Sequence, residues 1–512
     1  MSTVSTSIFA IPSGFGRRLG KSSLFALPVT REQLVFVLGL AAIFLVGQLA
    51  TATSVEVASL FAVAILFGML AVFAGGGLRS AFGCLNAVLV GKFLLIGITI
   101  KMLVLEPADG TLKAPQTTAS VMAIGFFGLF LGTLVQSRIA CPQYFSMNRP
   151  ISDRMLLSFS IALFCGSYLS YFAEIIATGG GDGIQTGGWL GIARAMASLR
   201  SFAIVPPMLY LWRMRTRLWM THPAILAALA WAAGVGVFST SKQEAIEPLA
   251  FYVLVGFMRY GVRNVRLWGL VFTGLLYYSV IVFPYSQYVR HNGGREGTLG
   301  QRAAITKDIF LRILNDPTFR AETTERATAN SYFDKPALAP FNRLAMVGEA
   351  DRLVAGTEHQ KAFTGWETIN WGFKLLMPSF LSPDKPVFEA GNYLGHIVND
   401  VGPTDETTQI SYGVMANFYN AFGLLGVFLG SSLFFAGFYY WIRMFLGDAR
   451  WTGRPTTSAL WFIWIVATFQ HSIVESTVSG LIASVSFPVI LGILYIAGKW
   501  MSPFLPEQMV SS

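Results

Sequence analysis

The chain has 512 residues, of which 54% are hydrophobic and only 12% charged, with a mean hydropathy of +0.56. Soluble globular proteins carry about 25% charged residues, so the composition argues against a water-soluble fold. The net charge of +10 does not point to nucleic acid, because the basic residues lie in short connecting loops rather than on a module with a binding fold.

The apolar residues come in blocks of about 18–24, the length a helix needs to cross a hydrocarbon core about 30 Å thick. Only helices and closed barrels span lipid, and these blocks lack the alternation of barrel strands. The fold class is therefore all-α, a polytopic transmembrane helical bundle. Residues 1–32 are basic with no cleavable apolar core, and are expected to form a cytoplasmic tail. Spans are predicted at 33–52, 55–74, 82–104, 119–137, 155–176, 189–212, 222–240, 245–260 and 265–285, and again at 422–445, 457–475 and 480–499, about twelve by length. The chain thus divides into a first membrane block, 33–285, a large connection, 286–411, a second membrane block, 412–500, and a C-terminal tail, 501–512. The three cysteines, Cys84, Cys141 and Cys165, fall in or beside spans and make neither a disulfide framework nor a metal site.

Charge then orients the spans. Arg79, Arg138, Arg149, Arg154, Arg213, Arg215, Arg217, Arg259, Arg263, Arg266, Arg443, Arg450 and Arg454 all land in alternate loops, the positive-inside pattern of a bacterial inner-membrane protein. That side is expected to be cytoplasmic and to hold both termini. Glu106, Asp109, Asp182 and Glu244 fall on the opposite side, as do most acids of the long connection. At about 125 residues, that connection is far longer than a helix-to-helix turn requires, and such loops are functional or disordered. Its composition argues for order in a partly helical periplasmic loop. Leu299 to Asp316 has apolar residues at helical spacing, a second helix is expected after Pro340, and WETINWGFKLLM has aromatic and basic residues suited to a membrane interface. No internal repeat is visible, so the inverted repeat of many secondary transporters is missing.

Ionisable residues in or near spans are costly in lipid and mark candidate sites. Arg194 and Arg200 lie on the sixth span, Lys242 and Glu244 follow the seventh, and His471 and Glu475 stand four residues apart on the eleventh. Lys92 stands alone in the third span, where structural pairing is the stronger role. The connection adds Arg290, His291, Arg295, Arg302, Arg343, Glu349, Asp351, Arg352, Asp384 and Lys385. Arginines at a membrane surface suit a phosphate or diphosphate, whose oxygens they grip in two-pronged, charge-assisted hydrogen bonds. A neighbouring carboxylate or histidine suits a general base. Solvated or salt-bridged loop charges are the competing explanation for most of them. The histidines are scattered and the aspartates lack metal-site spacing, so no metal or other cofactor is expected.

Three stretches carry a resemblance: FSTSKQEAI at an outer helix end, NRLAMV in the connection, and MPSFLSPDKPVFEAGNYLGH followed by TTQISYGVMANFYNAFGLLGVFLG. On these the chain resembles the oligosaccharide repeat-unit polymerases of bacterial O-antigen and exopolysaccharide synthesis, the Wzy type. The resemblance runs from about residue 230 onward, where those motifs and the span pattern coincide. It implies a periplasmic glycosyl transfer between undecaprenyl-diphosphate-linked oligosaccharides in the lipid bilayer, with a flippase and a chain-length regulator as further partners and no nucleic acid. It also implies that Lys242, Arg343 and Lys385 contact diphosphate or sugar, while charge and depth add Arg194, Arg200 and Arg290. The base stays open among Glu349, Asp351, Asp384, His471 and Glu475. An O-antigen ligase shares the donor and the large outer loop, and a lipid-linked oligosaccharide transporter is the alternative from another class.

The orientation is testable with topology reporters. A reporter active only in the periplasm should work when fused near residue 340 and fail after Arg215 or Arg450; inactivity near residue 340 overturns the assignment.

Overall fold

The computed structural model describes residues 29–141, 147, 149–178, 193, 196–238, 242–291, 299–319, 322, 331–377, 390–403 and 408–504. Among them every regular element is helical, and the sole extended pairing is an isolated bridge between Ser80 and Arg450. The first block begins with α1 (Arg31–Ala50), α2 (Val55–Ala74), α3 (Ala81–Leu103), α4 (Pro115–Arg138) and α5 (Asp153–Thr178). It continues through the short α6 (Val205–Arg213), α7 (Pro223–Phe238), α8 (Lys242–Tyr260) and α9, which runs from Val265 to His291. The connection contributes α10 (Leu299–Asn315), a 3₁₀ helix Pro336–Leu344, α11 (Met346–Gln360), α12 (Glu367–Leu376) and α13 (Ala390–Ile397). Finally α14 (Val414–Leu446), α15 (Thr457–Glu475) and α16 (Thr477–Met501) form the second block.

Nine helices among the described residues, α1–α5, α9 and α14–α16, are long and apolar enough to cross a bilayer. Three expected spans fall short of that criterion for separate reasons. The region of 189–212 is described only in part, as a 3₁₀ turn Ser201–Ile204 leading into the nine-residue α6, whose start holds Pro206 and Pro207. Helix α7 has 16 residues. Helix α8 has 19, but Lys242, Glu244, Glu247 and Arg259 make its ends polar and Pro248 interrupts its hydrogen-bond ladder.

Close packing of α2, α4 and α14 makes the centre of the bundle. Gly125, Gly128 and Gly132 line one face of α4, and a Cβ on Gly132 would lie 2.7 Å from the carbonyl oxygen of Ser432. Such small residues let helix backbones approach where lipid offers no hydrophobic drive. A polar knot sits beside them. Buried Asn86 of α3 donates to Ala71 O of α2 at 2.9 Å and to Thr133 Oγ1 of α4 at 3.2 Å, and accepts from Tyr439 OH of α14 at 2.5 Å. One amide thereby joins four helices.

Basic residues gather at one end of the bundle and are spent on backbone carbonyls. Arg213 donates to Ile151 O at 2.7 Å and Pro455 O at 2.9 Å, and Arg443 to Ile139 O at 3.1 Å and Gln136 O at 3.2 Å. Arg443 thereby satisfies carbonyls that the C-terminus of α4 leaves without partners and opposes the negative pole of its dipole, while Arg213 ties together the loops that lead into α5 and α15. At the opposite end, α14 is broken at Phe422 and Gly423, where Gly423 takes φ +64°. Its first eight residues, 414–421, are all buried and form a separate short helix over the bundle.

Asn86→Ala should lower the melting temperature of detergent-solubilised protein, with a loss of about 1–2 kcal/mol, since interhelical hydrogen bonds average about 0.6 kcal/mol and reach about 1.7. An unchanged melting temperature would show that the knot contributes nothing to holding the four helices.

Candidate functional site

The connection is seated on the bundle by a buried carboxylate. Asp351 of α11, 2% exposed, accepts from the backbone N–H groups of Lys113 at 2.6 Å and Ala114 at 3.0 Å, and from Thr118 Oγ1 at 2.8 Å. It therefore caps α4, whose own N-cap residue is Ala114 and offers no side-chain acceptor. Burial pushes the Asp351 carboxyl above its ordinary range, and the three donors pull it back. A second clamp stands on the next residue. Arg352 pairs with Glu349 and with Asp400 at 2.9 Å, and Tyr412 OH donates to Asp400 at 3.0 Å.

With α11 so fixed, the preceding 3₁₀ helix Pro336–Leu344 lies against the bundle, and it carries Arg343. Two π turns pack on this 3₁₀ helix: Gly91–Leu95 within α3 and Tyr278–Val282 within α9. A π turn inserts a residue and re-aims the side chains around it, and such turns are frequent at functional sites. The first contains Lys92, at the midpoint of α3, whose ammonium donates to Gln470 of α15. Arg343 lies within electrostatic reach of Lys92, His471 and Glu475, and Glu247 of α8 within reach of Lys92. The Arg343 guanidinium also donates to Ser411 Oγ at 3.4 Å, and the Ser479 hydroxyl bonds Glu475.

Lys92, Glu247, Arg343, Gln470, His471 and Glu475 are each half-buried. Polar groups that keep accessible surface this deep in a bundle line a crevice rather than a sealed core. Its roof is the turn between α15 and α16 together with residues 414–421. Ser476 there is fully buried, Gly413 N–H donates to Glu475 O at 3.3 Å, and Thr477 N–H donates to Asn417 Oδ1 at 3.0 Å. Asn420 ties this roof to the connection, donating to Thr357 Oγ1 at 2.9 Å and Ala362 O at 3.0 Å.

Of the sequence candidates, the structure brings together Arg343, His471 and Glu475. It adds Lys92, whose place in the third span suggests structural pairing, together with Glu247 and Gln470. Asp351 is directed into the α4 cap, and Glu349 into its pair with Arg352, so both serve the seating of the connection. Arg200, 8% exposed, pairs with Glu244 and lies 3.7 Å over the Tyr171 ring. Lys242 lies 4.2 Å over Phe283. These make a second charged group, around the start of α8, where Glu244 stands one turn from Glu247. Arg194, Asp384 and Lys385 lie outside the described residues, and for Arg290 only the backbone, in the last turn of α9, is described.

Asp351→Ala should strand two backbone donors and a hydroxyl. Each buried donor left without an acceptor costs about 1–3 kcal/mol, so we expect a clear drop in melting temperature and easier protease cleavage within 331–377. Asp351→Asn, which keeps an acceptor, should recover part of both; equal behaviour of the two variants would contradict the capping role. Compared with known proteins, the chain matches no family model, no curated protein and no solved structure.

Proposed function

We propose that this protein is a membrane glycosyltransferase that polymerises oligosaccharide repeat units carried on undecaprenyl diphosphate. In this reading it crosses the bacterial inner membrane about twelve times, with both termini in the cytoplasm and residues 286–411 in the periplasm. The gathering of arginines at one end of the bundle and the shorter α6, α7 and α8 beside the nine long spans support that topology. One observation carries the functional reading. A loop-borne arginine, Arg343, is held over a half-buried crevice that also contains a second cation, Lys92, and a base-bearing helix face, His471 and Glu475.

The chemistry divides among these groups. The acceptor hydroxyl loses its proton to Glu475 or His471 and attacks the anomeric carbon of the donor sugar. The bond from that carbon to the diphosphate oxygen breaks, and the lipid diphosphate leaves with the bonding electrons. Arg343 and Lys92 stabilise the charge that collects on it, and fixed cations in a water-poor crevice do this without reorganising during the reaction. A general base contributes about 10²–10⁴-fold. A carrier of lipid-linked oligosaccharide is the second reading, favoured by one feature, the position of Lys92 midway along a span.

In a strain lacking the gene and complemented with variants, Arg343→Lys should lose nearly as much surface polymer as Arg343→Ala while both proteins accumulate normally. Lysine cannot reproduce a two-pronged contact with a diphosphate, whereas an arginine on a solvated face tolerates the change because surface ion pairs contribute about 0–1 kcal/mol. Single repeat units should persist on the surface. A full ladder from the lysine variant removes Arg343 from the site. Loss of even the single-unit product favours a ligase or carrier. Glu475→Gln and His471→Asn, compared in the same assay, identify the base as the one whose loss costs about 10²-fold or more.

A further inference from the structure

Helix α12 is amphipathic in an unusual sense, because its outward face is the one rich in rings. Its inner face is seated on α16 through Gly372, whose added Cβ would lie 3.2 Å from Leu481 and 3.8 Å from Val478. Those residues belong to the first turns of a span, so α12 lies at the level where α16 leaves the membrane. Outward it presents Trp366 at 65% exposure and Phe373 at 58%, with Met377, Asn370 and Lys374 on the same face. The Lys374 ammonium stands 4.8 Å over the Trp371 ring.

This face is continuous with a lipid-facing one. The Trp366 ring meets Phe422 edge-on at 5.0 Å, and Phe422 is followed by Leu424, Leu425, Leu429 and Leu433. All of these are exposed along α14, Leu425 at 67%. An apolar stripe therefore runs from the span onto the connection without a polar break. An open cavity of about 620 Å³ beside α12 is lined by Asn370, Phe373, Lys374, Leu376 and Met377. Three of its lining side chains are apolar, one is cationic and one is an amide, the mixture that accommodates an acyl chain beneath a phosphate headgroup.

We infer that α12 is a membrane-docking helix, inserted in the headgroup layer of the leaflet next to the candidate site. Tryptophan and phenylalanine are favoured at that depth, and a lysine there reaches up to the phosphates while its stem stays in the apolar layer. The connection is then held by α12 on the lipid as well as by Asp351 and its neighbours on the bundle. The inference concerns position in the membrane and does not depend on the reaction.

The test uses full-length protein in liposomes, with the three native cysteines replaced by serine and one new cysteine labelled with an environment-sensitive fluorophore. Phe373→Cys reports on α12, Asn370→Cys gives a second probe on the same face, and Leu433→Cys marks the middle of a span. Labels on α12 should emit to the blue of the free dye, resist iodide, and be quenched most by lipid nitroxides near the headgroup. The Leu433 label should be quenched most by nitroxides deep in the chain region. Quenching of both α12 labels by iodide and by neither nitroxide places the helix in water and overturns the inference. Protection from all quenchers means that protein covers the face, which overturns it equally.

Discussion

One buried charge seats the helix that follows the candidate site on the bundle. The Asp351 carboxylate is nearly inaccessible to water, where an unpaired ion costs several kcal/mol. It is tolerated because two backbone N–H groups, a hydroxyl and the positive pole of a 24-residue helix converge on it. The arrangement serves both partners: α4 gains an N-terminal cap that its own Ala114 does not provide, and the connection gains a fixed point on the bundle. Eight residues before that point stands Arg343, on a short 3₁₀ helix that leads through Ala345 directly into α11. Displacement of Asp351 would move Arg343 relative to Lys92 and α15.

The same helix faces two ways. Asp351 holds it to the membrane block, and the adjacent Arg352 holds it to Asp400 and so to the segment that re-enters α14. Residues 414–421 then roof the crevice, pinned by Asn420 to Thr357 and by Tyr419 OH to Glu358 at 3.0 Å. Helix α11 is thus the keel of the connection, and the site lies where the 3₁₀ helix before it, two π turns and the end of α15 converge.

Much of this architecture was legible in the sequence because hydropathy is local. Nine spans announce themselves by length and apolar composition, and the bend in α14 coincides with the predicted start of a span at 422. The signal is weaker for α6 and α7, which are short although α7 is apolar throughout, and for α8, whose ends are polar. His471 and Glu475 were legible as a pair because four residues is one helical turn. Lys92 was visible as an anomaly but not as a member of the site, because Gln470 lies 378 residues away. Asp351 looked like a candidate base because its donors lie 233–238 residues upstream, and nothing local distinguishes a cap from a catalyst. Glu247 was overshadowed by Lys242 and Glu244, which the helix turns toward Phe283 and Arg200 instead.

The charges of the crevice are balanced in pairs: Lys92 and Arg343 against Glu247 and Glu475, with His471 between them. Balance has a physical reason, because two uncompensated cations at this depth would be expensive before any ligand arrived. It also bears on how the proposed reaction would begin. A diphosphate drawn to Arg343 and Lys92 takes over the cations that the carboxylates had been compensating, leaving Glu475 an anion without its counter-charge. Released from Arg343, that carboxylate is free to face an acceptor hydroxyl. Donor binding would in this way prepare the base, and the order of the two substrates would follow from the charge balance of the unliganded crevice.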